Sequence, residues 1–542
     1  MKKLILVLLM FNGSFQIASA QAPAKLWDSF FNGTLTGKDE SNYVLTDAIG
    51  NVFVTGTSFQ TFSGGNFTTI KYDASGVQLW ADHYTNTQAS YKNYGKRLVI
   101  DKWQNVYAVG TTALHDGDLA VCKYNSTGKI WSKNYEPYQF STYDDYGIDM
   151  DVDSLGNFYA IARVNSPTGN LFDMYLIKCD SSGTKTWDIN YTGGSADDYP
   201  TAIAVSPGGS AYPVLQSFNF FGSGTNDITT LQFLSGGIQN WFSKYNGPGS
   251  ADDYPMAIKI DAAENQYVCG TTDAGLNNDM VAMKQNTYGT RLWVTTYNGT
   301  ANGNDTAIST TWLPNGFVVV TGKCKELLNG IPLDAIVTMV IDSGTVLWTQ
   351  KFYGSDSLGA SPSQMTTDAQ GNIYICGYEN LIGGTKNGCI IKYNSNGNLL
   401  WNISYDAGLN LNDKFNSITL DNNNDIIVTG QTFTTATNAN YVTAKYGNSA
   451  TGITENSYIE NINMYPNPAN TSATILLNLL KAENISISIV DMLGREIKNT
   501  ASNNLQSGNN KINLDISDLN NGIYFVRING SKVLVRRLIV EK

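Results

Sequence analysis

Two series of acidic or amide residues recur along the chain at a near-constant interval, and they are the residues whose repeated spacing could support chemistry. Carboxylates gathered at one mouth of a protein could bind Ca²⁺ through oxygen ligands, or could hydrogen-bond sugar hydroxyls. The first series comprises Asp39, Asn93, Asp145, Asp198, Asp253, Asp305 and Asp413, with Ala360 at the remaining equivalent position. The second comprises Asp118, Asp173, Asp227, Asp279 and Asp334, completed by Asn66, Asn387 and Asn440.

A structural role competes with this ligand-binding role. Asp and Asn at strand starts cap turns by accepting hydrogen bonds from nearby backbone N–H groups. A repeat copies such a cap into every unit without any ligand being required. We therefore favour capping and assign neither a metal nor another cofactor, and we keep Ca²⁺ as the cation that such a ring would hold.

The rest of the sequence offers no catalytic set. The chain has two histidines, too few for a multi-histidine metal site. No phosphate-cradling glycine loop and no nucleophile elbow occur. We therefore name no catalytic residue and expect a protein that is not an enzyme.

The elements that position the two series form a repeat. The heptapeptide GSADDYP occurs at 194–200 and again at 249–255. Tryptophans mark the same period, because eight of them are separated by 51 to 56 residues: Trp27, Trp80, Trp131, Trp187, Trp241, Trp293, Trp348 and Trp401. Each interval holds four short β patterns joined by turns such as Asp-x-x-Gly-Asn. A four-stranded antiparallel unit repeated at this interval is typical of a propeller blade.

Counting these units predicts an all-β fold, an eight-bladed β-propeller, with seven blades as the alternative. The last copy, at 421–452, lacks its tryptophan strand, whereas residues 24–31 supply a tryptophan strand without a blade. A circular array leaves no exposed sheet edge when it is closed. We therefore expect 24–31 to be the outer strand of blade eight. The two Asp/Asn series then start the first and third strands of each blade and lie on one face.

Tryptophans and cysteines have structural interpretations in this scheme. Because the tryptophans lie on outer strands, we expect them to pack between blades rather than to stack on sugars. Most of the six cysteines occupy apolar strand patterns, which favours buried free thiols. Cys376 and Cys389 flank one hairpin loop, so a disulfide between them is the alternative.

The two ends of the chain differ from the repeat. Residues 1–20 combine two lysines, an apolar run and small residues, which predicts a cleaved signal peptide. Residues 21–452 are then the propeller, 453–463 a linker and 464–542 a small Ig-like β-sandwich. No later apolar run is long enough to predict a transmembrane segment. A net charge of −11 argues against nucleic acid as a partner.

The C-terminal segment resembles the type A C-terminal sorting domain of the type IX secretion system of Gram-negative bacteria. The matching residues are Tyr465, Pro466, Asn467, Pro468, Gly494, Gly522 and the basic end through Lys542. The resemblance implies that the secretion machinery is a partner. It also implies export across the outer membrane, followed by attachment to the cell surface or release.

Residues 24–452 resemble the bacterial SBBP-type β-propeller repeat, which brings no general catalytic motif. Units such as DASGVQLW are also similar to the repeats of quinone-dependent propeller dehydrogenases, but those enzymes carry adjacent cysteines and this chain does not. A glycan-active hydrolase or lyase is the other enzyme alternative, although no carboxylate pair stands out. We therefore expect a binding, adhesion or scaffold protein whose ligand is an extracellular glycan or protein.

Overall fold

The computed structural model divides the chain into two compact units, residues 1–450 and 451–542. All 39 regular elements among the residues described are β-strands. No helix in that part of the chain is long and apolar enough to cross a membrane. The residues described are 22–34, 37–59, 65–84, 93–112, 118–136, 145–165, 171–193, 196–218, 224–249, 251–408, 411–435, 438–448, 459–479, 482–491, 495–529 and 533–542. The predicted signal peptide lies outside them.

The first unit is a succession of four-stranded antiparallel sheets, each formed from strands that follow one another in sequence. The exception is β1 (Lys25–Phe31), which joins the last sheet. Sheet one contains β2 (Glu40–Thr46), β3 (Val52–Ser58), β4 (Asn66–Tyr72) and β5 (Gln78–Tyr84); sheet two contains β6 (Tyr94–Ile100), β7 (Val106–Thr112), β8 (Asp118–Asn125) and β9 (Gly128–Tyr135); sheet three contains β10 (Tyr146–Val152), β11 (Phe158–Asn165), β12 (Phe172–Cys179) and β13 (Lys185–Tyr191); sheet four contains β14 (Asp198–Val205), β15 (Ala211–Phe218), β16 (Asn226–Phe233) and β17 (Gln239–Tyr245).

The second half of the unit continues the same pattern. Sheet five contains β18 (Tyr254–Ile260), β19 (Gln266–Asp273), β20 (Asn278–Gln285) and β21 (Arg291–Tyr297); sheet six contains β22 (Thr306–Trp312), β23 (Val318–Leu328), β24 (Ile331–Asp342) and β25 (Thr345–Phe352); sheet seven contains β26 (Ala360–Thr367), β27 (Ile373–Asn380), β28 (Lys386–Tyr393) and β29 (Leu399–Tyr405); sheet eight contains β30 (Asp413–Leu420), β31 (Ile426–Phe433), β32 (Ala439–Tyr446) and, on its outside, β1.

The ring is closed by strands from the two ends of the unit. Strand β1 pairs antiparallel with β32, in a register that places Phe31 opposite Tyr441. Sheet eight also contacts sheet one, since the Asp39 N–H donates to the Ala439 carbonyl at 2.9 Å. The expected outer position of residues 24–31 is thus found, and it leaves β32 without an open edge.

Asp side chains organise the tight turns within each sheet. Between β10 and β11, the Asp153 carboxylate accepts hydrogen bonds from the backbone N–H groups of Leu155 and Asn157, both at 2.9 Å. Gly156 in this turn has a φ of 77°, which glycine adopts without steric cost. The predicted Asp-x-x-Gly-Asn turn chemistry is therefore present.

Tryptophans of the outer strands pack against the next sheet. The indole Nε1 of Trp241 in β17 donates to the Thr287 carbonyl of sheet five at 3.0 Å. A Cβ added to Gly289, in the same turn, would lie 2.6 Å from the Trp241 ring, so the indole rests directly on the turn. Equivalent bonds join Trp187 to Ser235 and Trp348 to Ser395. These indoles therefore hold neighbouring sheets together, as the sequence predicted.

All six cysteines are buried free thiols, and the alternative of a Cys376–Cys389 disulfide is wrong. In the ladder between β27 and β28, Cys376 lies opposite Ile390 and Cys389 lies opposite Gly377. Because side chains alternate along a strand, the two thiols point to opposite faces of the sheet. Each belongs to a different hydrophobic cluster, so no S–S bond can join them.

The second unit consists of two small sheets. The three-stranded sheet has the order β33-β34-β37 and the four-stranded sheet the order β36-β35-β38-β39. Ile475 and Leu477 of one sheet share a buried core with Ile487 and Val526 of the other, which makes a two-layer β fold. The strands are β33 (Ile459–Tyr465), β34 (Ser472–Leu479), β35 (Glu483–Val490), β36 (Glu496–Leu505), β37 (Gly508–Asp515), β38 (Gly522–Asn529) and β39 (Val533–Val540).

Candidate functional site

The two Asp/Asn series meet at the interfaces between neighbouring sheets. The N–H of Asp253, just before β18, donates to the carbonyl of Asn226, which precedes Asp227. The N–H of Asp305 likewise donates to the carbonyl of Asn278, which precedes Asp279. At these interfaces the first-strand position therefore lies beside the third-strand position of the preceding sheet.

First-strand carboxylates act as caps in this arrangement. Asp253 is fully buried, and its Oδ2 accepts the Gly247 N–H at 2.7 Å while its Oδ1 accepts the Asp273 N–H at 2.9 Å. One carboxylate thus closes the loop before its strand and ties that loop to the end of the second strand. The same double contact is made by Asp39 with Gly33 and Phe59, and by Asp305 with Gly299 and Lys325; Asp198 accepts from Gly193, Asp413 from Ala407 and Asp145 from Asn165.

A second set of caps was missed by the sequence reasoning. In GSADDYP the first Asp of the pair accepts from the neighbouring sheet: the Asp252 carboxylate takes the Asn226 N–H at 2.9 Å, and Asp197 takes the Phe172 N–H at 2.8 Å. Asn304 and Asn412 do the same for Asn278 and Lys386. The repeated Asp-Asp pair was visible in the sequence and could have identified this role. The heptapeptide is therefore a double cap, one side chain for each of two adjacent sheets.

Burial governs the electrostatics of these carboxyl groups. Burial raises the pKa of Asp118 to about 8, and the nearby charges of Glu136 and Asp145 raise it further. Burial also raises the pKa of Asp305 to about 6, against the lowering effect of the Gly299 and Lys325 N–H groups. Desolvation by burial is also the largest cause of the raised pKa values of five other carboxyl groups in the series: Asp39, Asp198, Asp253, Asp279 and Asp413.

The remaining predicted positions vary in their surroundings. Asn93, Asp118, Asp173 and Asp227 are buried, whereas Asp279 and Asp334 are half-buried. The Asp334 carboxylate pairs with Lys325 at 2.8 Å. Among the residues that the structure describes, no three His, Cys, Asp or Glu side chains lie close enough together to hold a metal ion. The series are therefore distributed in pairs around the ring rather than gathered at one point.

A cavity of about 390 Å³ lies inside the ring and is lined by the first strands of all eight sheets. Every one of these strands carries a β-bulge at the same register, between the second and fourth residues after the Asp/Asn position. A bulge re-aims a side chain and locally breaks the ladder. Seven of the bulged residues line the cavity: Lys96, Ile148, Thr201, Met256, Ile308, Ser363 and Asn416.

Side chains next to the bulges connect adjacent first strands. Arg97 pairs with Asp149 of the neighbouring strand at 2.8 Å, and Asp149 in turn accepts the Ile203 N–H at 3.0 Å. Gln364 accepts the Ile418 N–H at 2.8 Å in the same manner. Adjacent first strands belong to different sheets, so they form no backbone ladder with each other. These side chains therefore supply hydrogen-bond partners for backbone N–H groups that face the neighbouring sheet. The cavity wall is thereby fixed, and its surface is mixed polar and apolar with lysines at 96 and 259.

The predicted sorting residues of the second unit lie near its final strand. The Asn467 side-chain carbonyl accepts the Ile539 N–H at 2.8 Å, and Tyr465 ends β33 with an exposed ring. The Lys542 N–H donates to the Asn521 side chain at 2.9 Å, beside Gly522 at the start of β38. Pro466 and Pro468 flank Asn467, and Gly494 lies outside the described residues. The N-terminal part of the motif, at Asn467, thus contacts the last strand, β39. The C-terminal part, at Lys542, contacts the turn before β38.

Comparison with solved structures yields distant likenesses. A protein of unknown function from Dyadobacter fermentans matches at a TM-score of 0.37 and 9% identity, over 79% of this chain and 99% of that chain. The β-propeller domain of the Trilobed protease from Pyrococcus furiosus matches at 0.36 and 8%, over 62% and 91%. A PL25 ulvan lyase, a polysaccharide lyase, matches at 0.39 and 10%, over 58% and 80%. These likenesses concern the fold alone. A search of curated proteins found no match.

A family model does match the second unit. It is the secretion system C-terminal sorting domain, and it covers residues 463–541. This range contains Tyr465, Asn467 and Gly522, on which the resemblance to the type IX sorting domain was based. A domain of this kind directs its protein to the cell surface or the medium. Residues 463–541 therefore form a type IX secretion system C-terminal sorting domain, and the β-propeller before it is part of a secreted or surface protein.

Proposed function

We propose that the protein is a non-catalytic binding or scaffold protein that the type IX machinery exports and that takes an extracellular ligand at its central cavity. In this proposal a signal peptide at 1–20 leads the chain to the periplasm. The propeller at 21–452 and the sorting domain at 464–542 are separate domains joined by the linker at 453–463. The sorting domain contacts the secretion machinery, and the propeller contacts the ligand, a glycan or a protein.

The cavity carries this proposal. Its eight bulged strands present hydroxyl, amide, ammonium and thioether groups around one opening, a set suited to hydrogen bonding and packing. The carboxylates that could otherwise act as acids and bases, such as Asp198 and Asp253, are buried and bonded to backbone N–H groups. The carboxylate among the cavity-lining residues, Asp149, is paired with Arg97. A wall that offers contacts while its carboxylate is engaged favours binding over acid–base catalysis.

Blocking the cavity tests the proposal. Thr201→Trp and Ser363→Trp each place a large side chain on the cavity wall, whereas Ala263→Trp places one on an exposed turn between β18 and β19. The full-length protein and these variants are screened against arrays of extracellular glycans and envelope proteins. We expect one ligand class to bind the parent and Ala263→Trp and to be lost from the two cavity variants.

The same samples distinguish binding from catalysis. After incubation the ligand is recovered and its chain length or mass is measured. Unchanged ligand supports the proposal. Cleavage or oxidation of the ligand by the parent but not by the cavity variants would show an enzyme and contradict it.

A further inference from the structure

We propose that Tyr94, Tyr146, Tyr199 and Tyr254 form one arc at the rim of the central cavity that binds the pyranose backbone of an acidic polysaccharide. In this proposal Arg163, which contacts the Tyr146 and Tyr199 rings, receives the carboxylate or sulfate groups of that polymer. The inference rests on the proposed binding function, and it adds the chemical class of the ligand and the residues that select it.

The register of the first strands creates the arc. Each tyrosine directly follows a capping Asp or Asn, and it lies two residues before the bulged residue of its strand. In sheets two to five those bulged residues are Lys96, Ile148, Thr201 and Met256, all on the cavity wall. The other four sheets carry Glu40, Thr306, Ser361 and Lys414 at the tyrosine position. The four tyrosines thus lie at the same register in four consecutive sheets, two residues from the cavity wall.

Contacts between sheets connect three of the four tyrosines, Tyr146, Tyr199 and Tyr254. The Arg163 guanidinium lies 4.5 Å from the Tyr146 ring centroid and 5.8 Å from that of Tyr199, although the two tyrosines belong to different sheets. Gln216, the cross-strand partner of Tyr199, donates to Asp252 at 3.4 Å. Asp252 also accepts a hydrogen bond from the Tyr254 hydroxyl, at 3.5 Å. Tyr146 and Tyr199 are therefore linked through Arg163, and Tyr199 and Tyr254 through the strand partner Gln216 and its hydrogen bond to Asp252.

The rings are held in place and yet accessible. Tyr254 is 40% exposed, and the other three tyrosines are half-buried. The Tyr199 hydroxyl donates to Asp197 at 2.8 Å, and its ring contacts Phe172 at a centroid distance of 5.7 Å. Aromatic side chains fixed in this way lose little conformational entropy when a ligand binds.

Arg163 supplies the charge selectivity. Its guanidinium also lies 4.6 Å from the Phe172 ring, so three aromatic faces surround it. Its Nε is buried, and within the part of the chain that the structure describes it has neither a hydrogen-bond partner nor a carboxylate at ion-pair distance. Arg97 of sheet two differs, because Asp149 neutralises it. A guanidinium that has no counter-ion among the described residues is suited to a ligand carboxylate or sulfate, which it can bind through two parallel hydrogen bonds.

A polysaccharide fits the rest of the geometry. The C–H-bearing face of a pyranose is apolar and weakly positive, and it packs on the electron-rich face of an aromatic ring. One ring per sheet in four successive sheets provides repeated sites, which suit a ligand built from repeated units. An anionic polymer is also attracted by Lys96 and Lys259 on the cavity wall, in a protein whose net charge is otherwise −11.

Binding of three polymers to the full-length protein tests the inference. Polygalacturonate, dextran sulfate and neutral dextran of matched length are titrated calorimetrically in calcium-free buffer. The variants are Arg163→Gln and Tyr254→Leu. Their matched controls are Lys102→Gln and Tyr288→Leu. Lys102 lies 4.5 Å from the Trp103 ring, and Tyr288 is 76% exposed. Both control residues lie in turns at the end of the sheet opposite to the tyrosine arc. Thermal unfolding verifies that each variant is folded.

We expect at least one anionic polymer to bind the parent about 10-fold more tightly than neutral dextran, and Arg163→Gln to abolish most of that preference. Tyr254→Leu should weaken binding while the preference is retained, and both controls should bind as the parent does. Preference for polygalacturonate identifies a uronate ligand, and preference for dextran sulfate identifies a sulfated one; either supports the inference.

Three results would overturn it. One is equal binding of charged and neutral polymers by the parent, and another is unchanged affinity in both Arg163→Gln and Tyr254→Leu. The third is capture of an envelope protein, and of no polysaccharide, through the same tyrosines. If Thr201→Trp abolishes polymer binding while the arc variants change nothing, the proposed binding function stands and the arc assignment is wrong.

Discussion

The indole Nε1 of Trp27 donates a hydrogen bond to the carbonyl oxygen of Ala74 at 3.1 Å. Trp27 lies on the outer strand of sheet eight, whereas Ala74 lies in a turn of sheet one. Tryptophans form the same type of indole-to-carbonyl bond between other neighbouring sheets. The junction between the two ends of the unit is therefore stabilised in the same way as those interfaces.

Substituting the glycine beneath that indole should weaken the junction. Gly76 has a φ of 86°, and a Cβ there would lie 2.5 Å from the Trp27 ring. We expect Gly76→Ala to lower the free energy of unfolding by about 2–4 kcal/mol, from backbone strain and overpacking together. Gly316→Ala is the matched control, because Gly316 has a φ of 84° and open space around it. It should cost about 1 kcal/mol. Equal losses in urea titrations would mean that the indole contact contributes nothing.

The pKa of Asp118 predicts how stability depends on pH. Burial, with Glu136 and Asp145 nearby, raises this pKa to about 8 in the folded protein. A carboxyl group with a raised folded pKa contributes stability that is present below its unfolded pKa and lost as the pH rises to the folded value. We therefore expect the free energy of unfolding to fall between about pH 4 and pH 8, by roughly 1 kcal/mol or more from this group.

Asp118→Asn should flatten that decline, since the amide does not ionise. Asp73 provides the control, because hydrogen bonds from Ser75 and Val77 lower its pKa. Its contribution is present above its unfolded pKa and lost as the pH falls, so Asp73→Asn should leave the slope between pH 4 and 8 unchanged. Denaturant titrations at several pH values measure the slopes. A slope in Asp118→Asn equal to that of the parent would show that Asp118 is not the titrating group.

The capping and calcium-binding roles of the Asp series predict opposite results for one double variant. Asp198 accepts the Gly193 N–H, which an Asn side-chain carbonyl can also do, whereas Asp253 accepts N–H groups with both oxygens and an Asn there keeps only one of the two contacts. We expect Asp198→Asn with Asp253→Asn to lower the melting temperature less than the corresponding double Ala variant, and a chelator to have no effect on the parent. The corresponding double Ala variant should lose about 1–2 kcal/mol for each cap. A melting temperature that rises with Ca²⁺ in the parent alone would instead identify a cation site.

Removing the sorting domain should separate export from folding. Residues 463–541 match the sorting family and have a hydrophobic core of their own. We expect a chain that lacks 464–542 to contain a folded propeller that accumulates in the periplasm. Cell fractionation with protease accessibility on intact cells measures the location, and the full-length chain is the control. Surface display of the shortened chain would contradict the assignment.

The repeat determined how much of the fold could be predicted. The tryptophan interval and the turn motifs predicted four-stranded units, and the unmatched strand at 24–31 predicted the pairing of β1 with β32. The bulges could not be predicted, because bulged residues as different as Lys96, Ile148 and Ser363 share no chemical property. The position of a bulge depends on how adjacent first strands pack around the cavity. That packing involves residues far apart in the chain, and it cannot be inferred from the local sequence of one strand.

The candidate site was predictable only in part, for a related reason. The series containing Asp253 was identified from its spacing, whereas Asp252 was passed over, although its partner is an N–H group of the preceding sheet. Two of the tyrosines after the caps, Tyr199 and Tyr254, are visible in the repeated heptapeptide, but the alignment of all four in consecutive sheets requires the strand register. The expected buried free thiols are confirmed, whereas the alternative Cys376–Cys389 disulfide is wrong, because proximity to one loop does not place two side chains on the same face of a sheet.

Hydrogen–deuterium exchange of the full-length protein, with and without saturating polysaccharide, tests the central claim that ligand binds at the rim and wall of the cavity. We expect slower exchange in the first strands of sheets two to five, at 94–100, 146–152, 198–205 and 254–260, where the tyrosines and bulged residues lie. Exchange in the turn at 286–290, at the opposite end of sheet five, should not change. Protection confined to such turns, or to residues 463–541, would contradict the account.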